Sequence, residues 1–285
     1  MVGVRFTTPL KPEKSHVYAV TNAHAVESYP IVRVNKAGGG SEPISLPLHA
    51  WKKDEKNDLA IVYVGTEIAK WDVNMIMCPD GFLTIKDAAL LDIGLGSDVF
   101  MATRLLGHEG KDINQPILRF GTIARMDAVP VLNTKLTIHE SKPFIQDSIF
   151  VECRSVPGHS GSAVIAVVGG LTEMRGDDPL EKSEKFRLLG ITWCFFPDFN
   201  KTNTGIAGVV PAWKLKDLLE RKDIVDYRKK HEREVVKQIQ TGKRGNPYDA
   251  VPTSSPNDGQ EGYASREDFL DVLDRVIKPS DPEES

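Results

Sequence analysis

In Pro157-Gly158-His159-Ser160-Gly161-Ser162-Ala163 a serine stands between two glycines, just ahead of the apolar run 163–168. A hydroxyl attacks a carbonyl only when a base takes its proton and amide N–H groups receive the charge that develops on the carbonyl oxygen. Glycines let the chain bend so that such amides converge beside the serine. The same pattern also describes an ordinary Gly/Ser turn, so the reading depends on partners elsewhere in the chain. Two upstream segments supply them. Residues 18–26 form a strand-like run that reaches His24 among small residues, and residues 57–64 place Asp58 at the mouth of a β-branched run. Taken singly, His24 is a structural histidine, Asp58 a strand-edge acid and Ser160 a turn residue. Together they are a base, an acid able to orient it, and a nucleophile.

The chain order His24, Asp58, Ser160 is that of chymotrypsin-type enzymes and differs from the subtilisin and α/β-hydrolase orders. The surrounding residues resemble the trypsin-like serine proteases, and within them the bacterial HtrA-like branch. Thr21-Asn22-Ala23-His24-Ala25-Val26 is similar to the box around that family's histidine. Asn57-Asp58-Leu59-Ala60-Ile61-Val62 is similar to the box around its aspartate, and Pro157–Val164 to the box around its serine. A looser match is Gly205–Pro211 followed by the helix-like Ala212–Leu219, and together the matches span about residues 2 to 220.

This resemblance implies two packed six-stranded antiparallel β-barrels, the first over residues 1–95 with His24 and Asp58, the second over 96–211 with Ser160. A C-terminal helix over 212–242 and a linker with an acidic tail over 243–285 would follow. It also implies a serine endopeptidase working through an acyl-enzyme on a protein or peptide substrate, with neither cofactor nor metal. Ser160 would attack, His24 would act as general base and then acid, and Asp58 would hold the imidazole tautomer. The N–H groups of Gly158 and Ser160 would form the oxyanion hole. Thr192, Trp193 and Cys194 would lie on the strand that pairs with an extended substrate.

Three departures from the family matter. Residues 243–285 are too few to be expected to form the PDZ domain that many HtrA-like proteins carry. His159 stands where digestive enzymes carry an aspartate that traps a freed N-terminus, so activation by N-terminal cleavage is not expected. No acid precedes Ser160 closely, so a preference for Lys or Arg is unsupported. Arg154 reads as solvent-facing, and Cys194 with Phe195 favours small or apolar side chains. Two other readings remain beside the endopeptidase. One is a catalytically weak protease-fold binding module that recruits partners through its C-terminal helix. The other is a self-cleaving sensor protease with one dedicated partner.

The elements that must position these residues are mostly strands. Short β-branched or alternating runs bounded by turn residues fall at 2–7, 16–22, 30–35, 58–65, 97–103, 117–126, 148–153, 162–168, 187–196 and 205–210. Many short strands of this kind predict an all-β protein. The stretch 70–97 would be the crossing between halves. From Pro211 the pattern turns helical, with an apolar face through Trp213, Leu215, Leu218, Leu219, Ile224 and Val225. The charge-dense residues 226–234 are expected to extend into solvent, and a last short helix is expected at 265–277.

The chain has 285 residues and a net charge of −4. Residues 243–285 hold ten acidic and five basic side chains, so the body is nearly neutral. That balance argues against nucleic-acid binding as the main task. No apolar run is long enough to span a membrane, and the first residues do not read as a signal peptide. The three cysteines (Cys78, Cys153 and Cys194) make no disulfide framework, although the resemblance leaves room for a bridge between the last two. Sparse cysteines and no signal peptide favour a cytoplasmic setting.

Overall fold

The fold is seen in a computed structural model. It describes residues 2–240 apart from 9–10, 29–30, 66–70, 74, 106, 109, 111, 134–143, 171–184, 199 and 201. The expected helix at 265–277 and the acidic tail lie outside the described residues.

The first half contains β1 (Val2–Thr8), β2 (Lys11–Thr21), α1 (Ala23–Ser28), β3 (Ile31–Asn35), β4 (Ser41–Ser45), β5 (Lys52–Asp54), β6 (Leu59–Gly65) and β7 (Met75–Cys78). After α2 (Ile85–Leu90) come β8 (Asp98–Arg104), β9 (Pro116–Asn133), β10 (Phe144–Glu152), β11 (Ala163–Val167), β12 (Phe186–Pro197) and β13 (Asn203–Pro211). The chain then enters α3 (Ala212–Leu219) and α4 (Lys222–Gln240).

Strands β8 to β13 form a closed antiparallel barrel in the order β10-β13-β12-β11-β8-β9. The first half departs from the expected six-stranded barrel. Among the described residues it is a five-stranded open sheet, β5-β6-β2-β1-β7, with β3 and β4 paired only to each other. The physical reasons are local. One edge strand, β5, is three residues long. The other, β7, runs parallel to β1. Pro43 removes a ladder donor from β4. Two of these short strands have weak sequence signals: Lys52–Asp54 is charged, and Ser41–Ser45 is polar around a proline.

The unbroken apolar run at Ala163–Val167 has a simple cause: both faces of β11 are buried. Val164 and Ala166 point into the barrel with Val99, Met101, Leu189 and Val209. Ala163, Ile165 and Val167 point outward into a second core with Val20, Leu59 and Ile61 of the first sheet and Leu215, Leu218 and Leu219 of α3. The first sheet is itself buried on both faces. Ala19, Ala60 and Val62 meet Ala23 and Val26 of α1 and Trp51 on its far side. One shared core therefore joins the sheet that leads into His24 to the barrel that carries the Ser160 segment.

The C-terminal helix expected over 212–242 is two helices. The α3 end places Leu218 and Leu219 on the shared core, and the chain must turn to bring Ile224 back to it. At the break the Arg221 carbonyl accepts the N–H groups of Ile224 and Val225, and Arg228 Nη1 donates to the Leu219 carbonyl. The charge-dense stretch does not simply project into solvent, because one face of α4 returns to the first sheet. There Tyr227 and His231 pack against Tyr63, and Arg228 lies over the Tyr18 ring.

His16 of β2 is buried in this seam, with its Nε2 3.1 Å from His231 Nδ1. Burial, reinforced by His231 and Arg228, pushes its imidazole down to about 4. An unfolded histidine holds its proton up to a pH of about 6.5. Between these values the unfolded chain binds the extra proton, so His16 makes stability fall as pH drops from about 6.5 toward about 4 and leaves it unaffected above that window. The loss amounts to roughly 2–3 kcal/mol. Chemical denaturation across this range should show a shallower acid slope for His16→Asn than for wild type. Equal slopes would remove His16 as the cause.

Candidate active site

Asp58 organises the first part of the site. It follows the 3-10 turn Glu55–Asn57, which Asp54 caps by accepting the Asn57 N–H. At φ 49° Asp58 is left-handed, a conformation that aspartate tolerates better than most residues. This conformation aims both its carbonyl and its carboxylate at residues 22–24. The carbonyl accepts the Ala23 N–H at 3.2 Å and Asn22 Nδ2 at 3.0 Å. One carboxylate oxygen accepts the His24 backbone N–H at 3.0 Å, and the other contacts His24 Nδ1 at 2.7 Å. The Asp58 side chain is 2% exposed and that of His24 16%. Since a carboxylate only accepts, the short bond puts the His24 proton on Nδ1 and leaves Nε2 as the basic nitrogen.

Strand β2 ends at Thr21, and buried Asn22 leads into α1, whose first turn carries His24. The Ser160 segment abuts this point. Gly161 lies so close to Thr21 that an added Cβ would collide with Thr21 Oγ1. The segment is also fastened to β12: Gly161 N–H donates to the Thr192 carbonyl, and Thr192 N–H donates to the Ser162 carbonyl, both at 2.9 Å. Ser162 Oγ donates to Thr103 Oγ1 at 2.9 Å. Ser160 is half-buried, and its hydroxyl donates to the Trp193 carbonyl at 3.2 Å. That carbonyl is presented by an irregularity in the β12–β13 ladder between Thr192 and Cys194. Bulges of this kind re-aim groups beside sites.

The segment expected to pair with substrate is partly committed inside the protein. Thr192 is buried with its N–H and carbonyl both used by the Ser160 segment, and its hydroxyl donates to Met101 Sδ at 3.3 Å. The Trp193 ring is buried, its Nε1 donating to Ser148 Oγ at 3.0 Å. Gly208 makes room for it, since a Cβ there would lie 2.7 Å from Cys194 Sγ and 2.9 Å from Trp193 Nε1. Only Cys194 of the three is partly exposed. Arg154 faces solvent. No disulfide joins Cys153 to Cys194, and burial pushes the Cys153 thiol up to about 11 and the Cys78 thiol to about 12. Among the described residues, no group of three or more His, Cys, Asp or Glu side chains is placed to hold a metal ion.

The halves are tied a second time. Asn114 N–H donates to Asn35 Oδ1 at 2.6 Å, and Asn35 Nδ2 donates to the Asn114 carbonyl at 3.0 Å. Arg33 Nη1 reaches the Gly110 carbonyl at 3.0 Å. The loop before β9 is thus held by the β3–β4 hairpin.

Comparison with protein families and with curated proteins gives no match. Among solved structures the chain is similar to "Crystal structure of Rv3671c protease from M. tuberculosis, active form". Identity is 13% and the TM-score 0.43, with 76% of this chain and 78% of that one covered. So distant a likeness transfers no activity to this chain.

Motif reading named His24, Asp58 and Ser160 but gave no role to Asn22 or Thr21. Both lie inside the histidine box, yet nothing in the sequence signals that Asn22 bonds the Asp58 carbonyl or that Thr21 receives Gly161. Gly161→Ala tests this contact. The residue has φ 83° and no space for a Cβ. The substitution should therefore cost at least about 1–3 kcal/mol in urea denaturation. A neutral result would show that the two segments are not in close contact.

Proposed function

We propose that this chain is a serine endopeptidase of the chymotrypsin-like fold. The observation that carries the reading is the double grip of Asp58 on His24, through the backbone N–H and Nδ1, with the Ser160 segment packed on Thr21. In this reading His24 Nε2 takes the Ser160 proton as the hydroxyl attacks a peptide carbonyl. The imidazolium is stabilised by the Asp58 carboxylate and then gives its proton to the leaving amine. The Gly158 and Ser160 amides receive the oxyanion. Water repeats the sequence on the acyl-enzyme. The first half would supply the base and acid, the barrel the nucleophile, and a cleft between them would admit an extended peptide. The HtrA-like branch rests on the sequence motifs alone.

For specificity, Cys194 is the member of the 192–194 set able to touch a bound side chain; Phe150 and Cys194 flank Gly208 on neighbouring strands, and the tilted rings of Phe150 and Phe196 lie 4.8 Å apart between centroids. A small or apolar side chain suits that wall. Thr192 and Trp193 serve in this reading by holding the nucleophile segment. A second reading, a protease-fold binding module, draws on the bond from the Ser160 hydroxyl to the Trp193 carbonyl. Attack requires that hydroxyl to turn toward His24 Nε2.

A fluorophosphonate probe separates the two. Wild type should be labelled and Ser160→Ala should not. A folded wild type that resists the probe would favour the binding module. Asp58→Asn should lower kcat by about 10⁴, since the amide donates where the carboxylate accepts and favours the wrong imidazole tautomer. A loss below tenfold would remove Asp58 from the orienting role. Cleavage of a peptide library should favour small or apolar residues before the scissile bond, and strong cleavage after Lys or Arg would overturn that assignment.

A further inference from the structure

His159 is shared by two successive turns. In the first, its N–H donates to the Val156 carbonyl at 3.1 Å across Pro157 and Gly158; in the second, its carbonyl accepts the Ser162 N–H at 3.1 Å across Ser160 and Gly161. Gly158 and Gly161 occupy the third position of each turn with φ of 91° and 83°. That conformation, with proline ahead of the first glycine, defines a type II turn. Type I and type II turns differ by a flip of the central peptide. In the first turn this is the peptide that carries the Gly158 N–H. Holding the turn in one form therefore sets the direction of that N–H.

The His159 side chain acts on the same turn. Its ring is fully buried, and its Nδ1 accepts the Val156 N–H at 3.3 Å. His159 thus holds both polar groups of the Val156 backbone, the carbonyl with its own N–H and the N–H with its ring. To accept, Nδ1 must carry no proton, so the proton lies on Nε2. Nε2 lies toward the Arg104 backbone without reaching good hydrogen-bond geometry. Burial, with Arg119 nearby, keeps the imidazole below its ordinary titration range and so preserves the acceptor.

We infer that His159 is a positioning residue: its Nδ1 lone pair locks the Val156–His159 turn in the form that aims the Gly158 N–H at the reacting carbonyl. This rests on the peptidase reading above. The inference distinguishes an acceptor from a space-filling ring. Asparagine can place Oδ1 where Nδ1 sits. Leucine fills much of the space with no acceptor. Glutamine places its acceptor one bond further along the side chain.

The test measures kcat and KM on a peptide that wild type cleaves, for His159→Asn, His159→Leu and His159→Gln, with thermal melts to confirm folding. Loss of an aimed oxyanion donor costs about 10²–10³ in kcat. His159→Leu and His159→Gln should show a loss of that order with KM changed less than about threefold, and His159→Asn should stay within about fivefold of wild type. If His159→Leu does not fold, the His159→Gln and His159→Asn pair decides by the same comparison. Leu or Gln variants that turn over like wild type, or an Asn variant that falls as far as they do, would overturn the inference alone. A folded wild type that no fluorophosphonate labels would remove the peptidase reading and this inference with it.

Discussion

The site depends on one aspartate held in a left-handed conformation. At φ 49° Asp58 turns its carbonyl and its carboxylate toward the same three residues. Four hydrogen bonds then join the entry of β6 to the junction between β2 and α1. Two act on backbone N–H groups at the start of α1, where donors lack intrahelical partners. One goes to the Asn22 side chain and one to the His24 ring. The same contacts that begin the helix also set the direction of the imidazole. A buried carboxylate is costly unless its lone pairs are used, and here both oxygens are engaged.

The Ser160 segment is placed by different physics. Residues 156–162 form two linked turns and then enter a strand with no solvent-facing side. Because β11 faces the barrel interior on one side and the first sheet with α3 on the other, its start cannot shift without disturbing two cores. Thr192 adds two backbone bonds from β12, and Gly161 permits contact with Thr21. The serine thus lies where the two halves meet, and the apolar burial that joins them also fixes its distance from the histidine segment. The first half needs no closed barrel for this task. Among the described residues an open sheet covered on both faces holds β2 and β6 in register, and the histidine follows the end of β2 while the aspartate precedes the start of β6.

The C-terminal helices close the shared core. Leu215, Leu218, Leu219 and Ile224 contribute to it, and the break at Glu220–Arg221 lets α4 fold back on β2 and β6. Its polar residues are used selectively. Arg228 satisfies the Leu219 carbonyl and lies over Tyr18, while His231 meets His16. Charge density alone suggested projection into solvent, because side-chain composition does not reveal which face of a helix another element will cover.

The sequence by itself determined the strands with strong alternation or continuous burial, the order of the reactive residue types, and the need for glycine at 158 and 161. These features are local: a strand's burial is written in its own apolar pattern, and a left-handed turn position in its own glycine. Short polar strands such as β4 and β5 left no such trace. Only the tertiary structure decided that the first half stays open, that the helix breaks, that Thr192 and Trp193 turn inward, and that His159 clasps the turn before Ser160. The open sheet, the returning helix and the inward turn depend on partners far away in the chain, whereas the His159 clasp spans only three residues and needs the direction of a buried ring. The hydrogen bonds to Asp58 span more than thirty residues, for example 34 between Asp58 and His24. The Ser160 hydroxyl meets a carbonyl 33 residues on. A motif can name the groups able to react, but the direction in which each points is set by the packing that surrounds it.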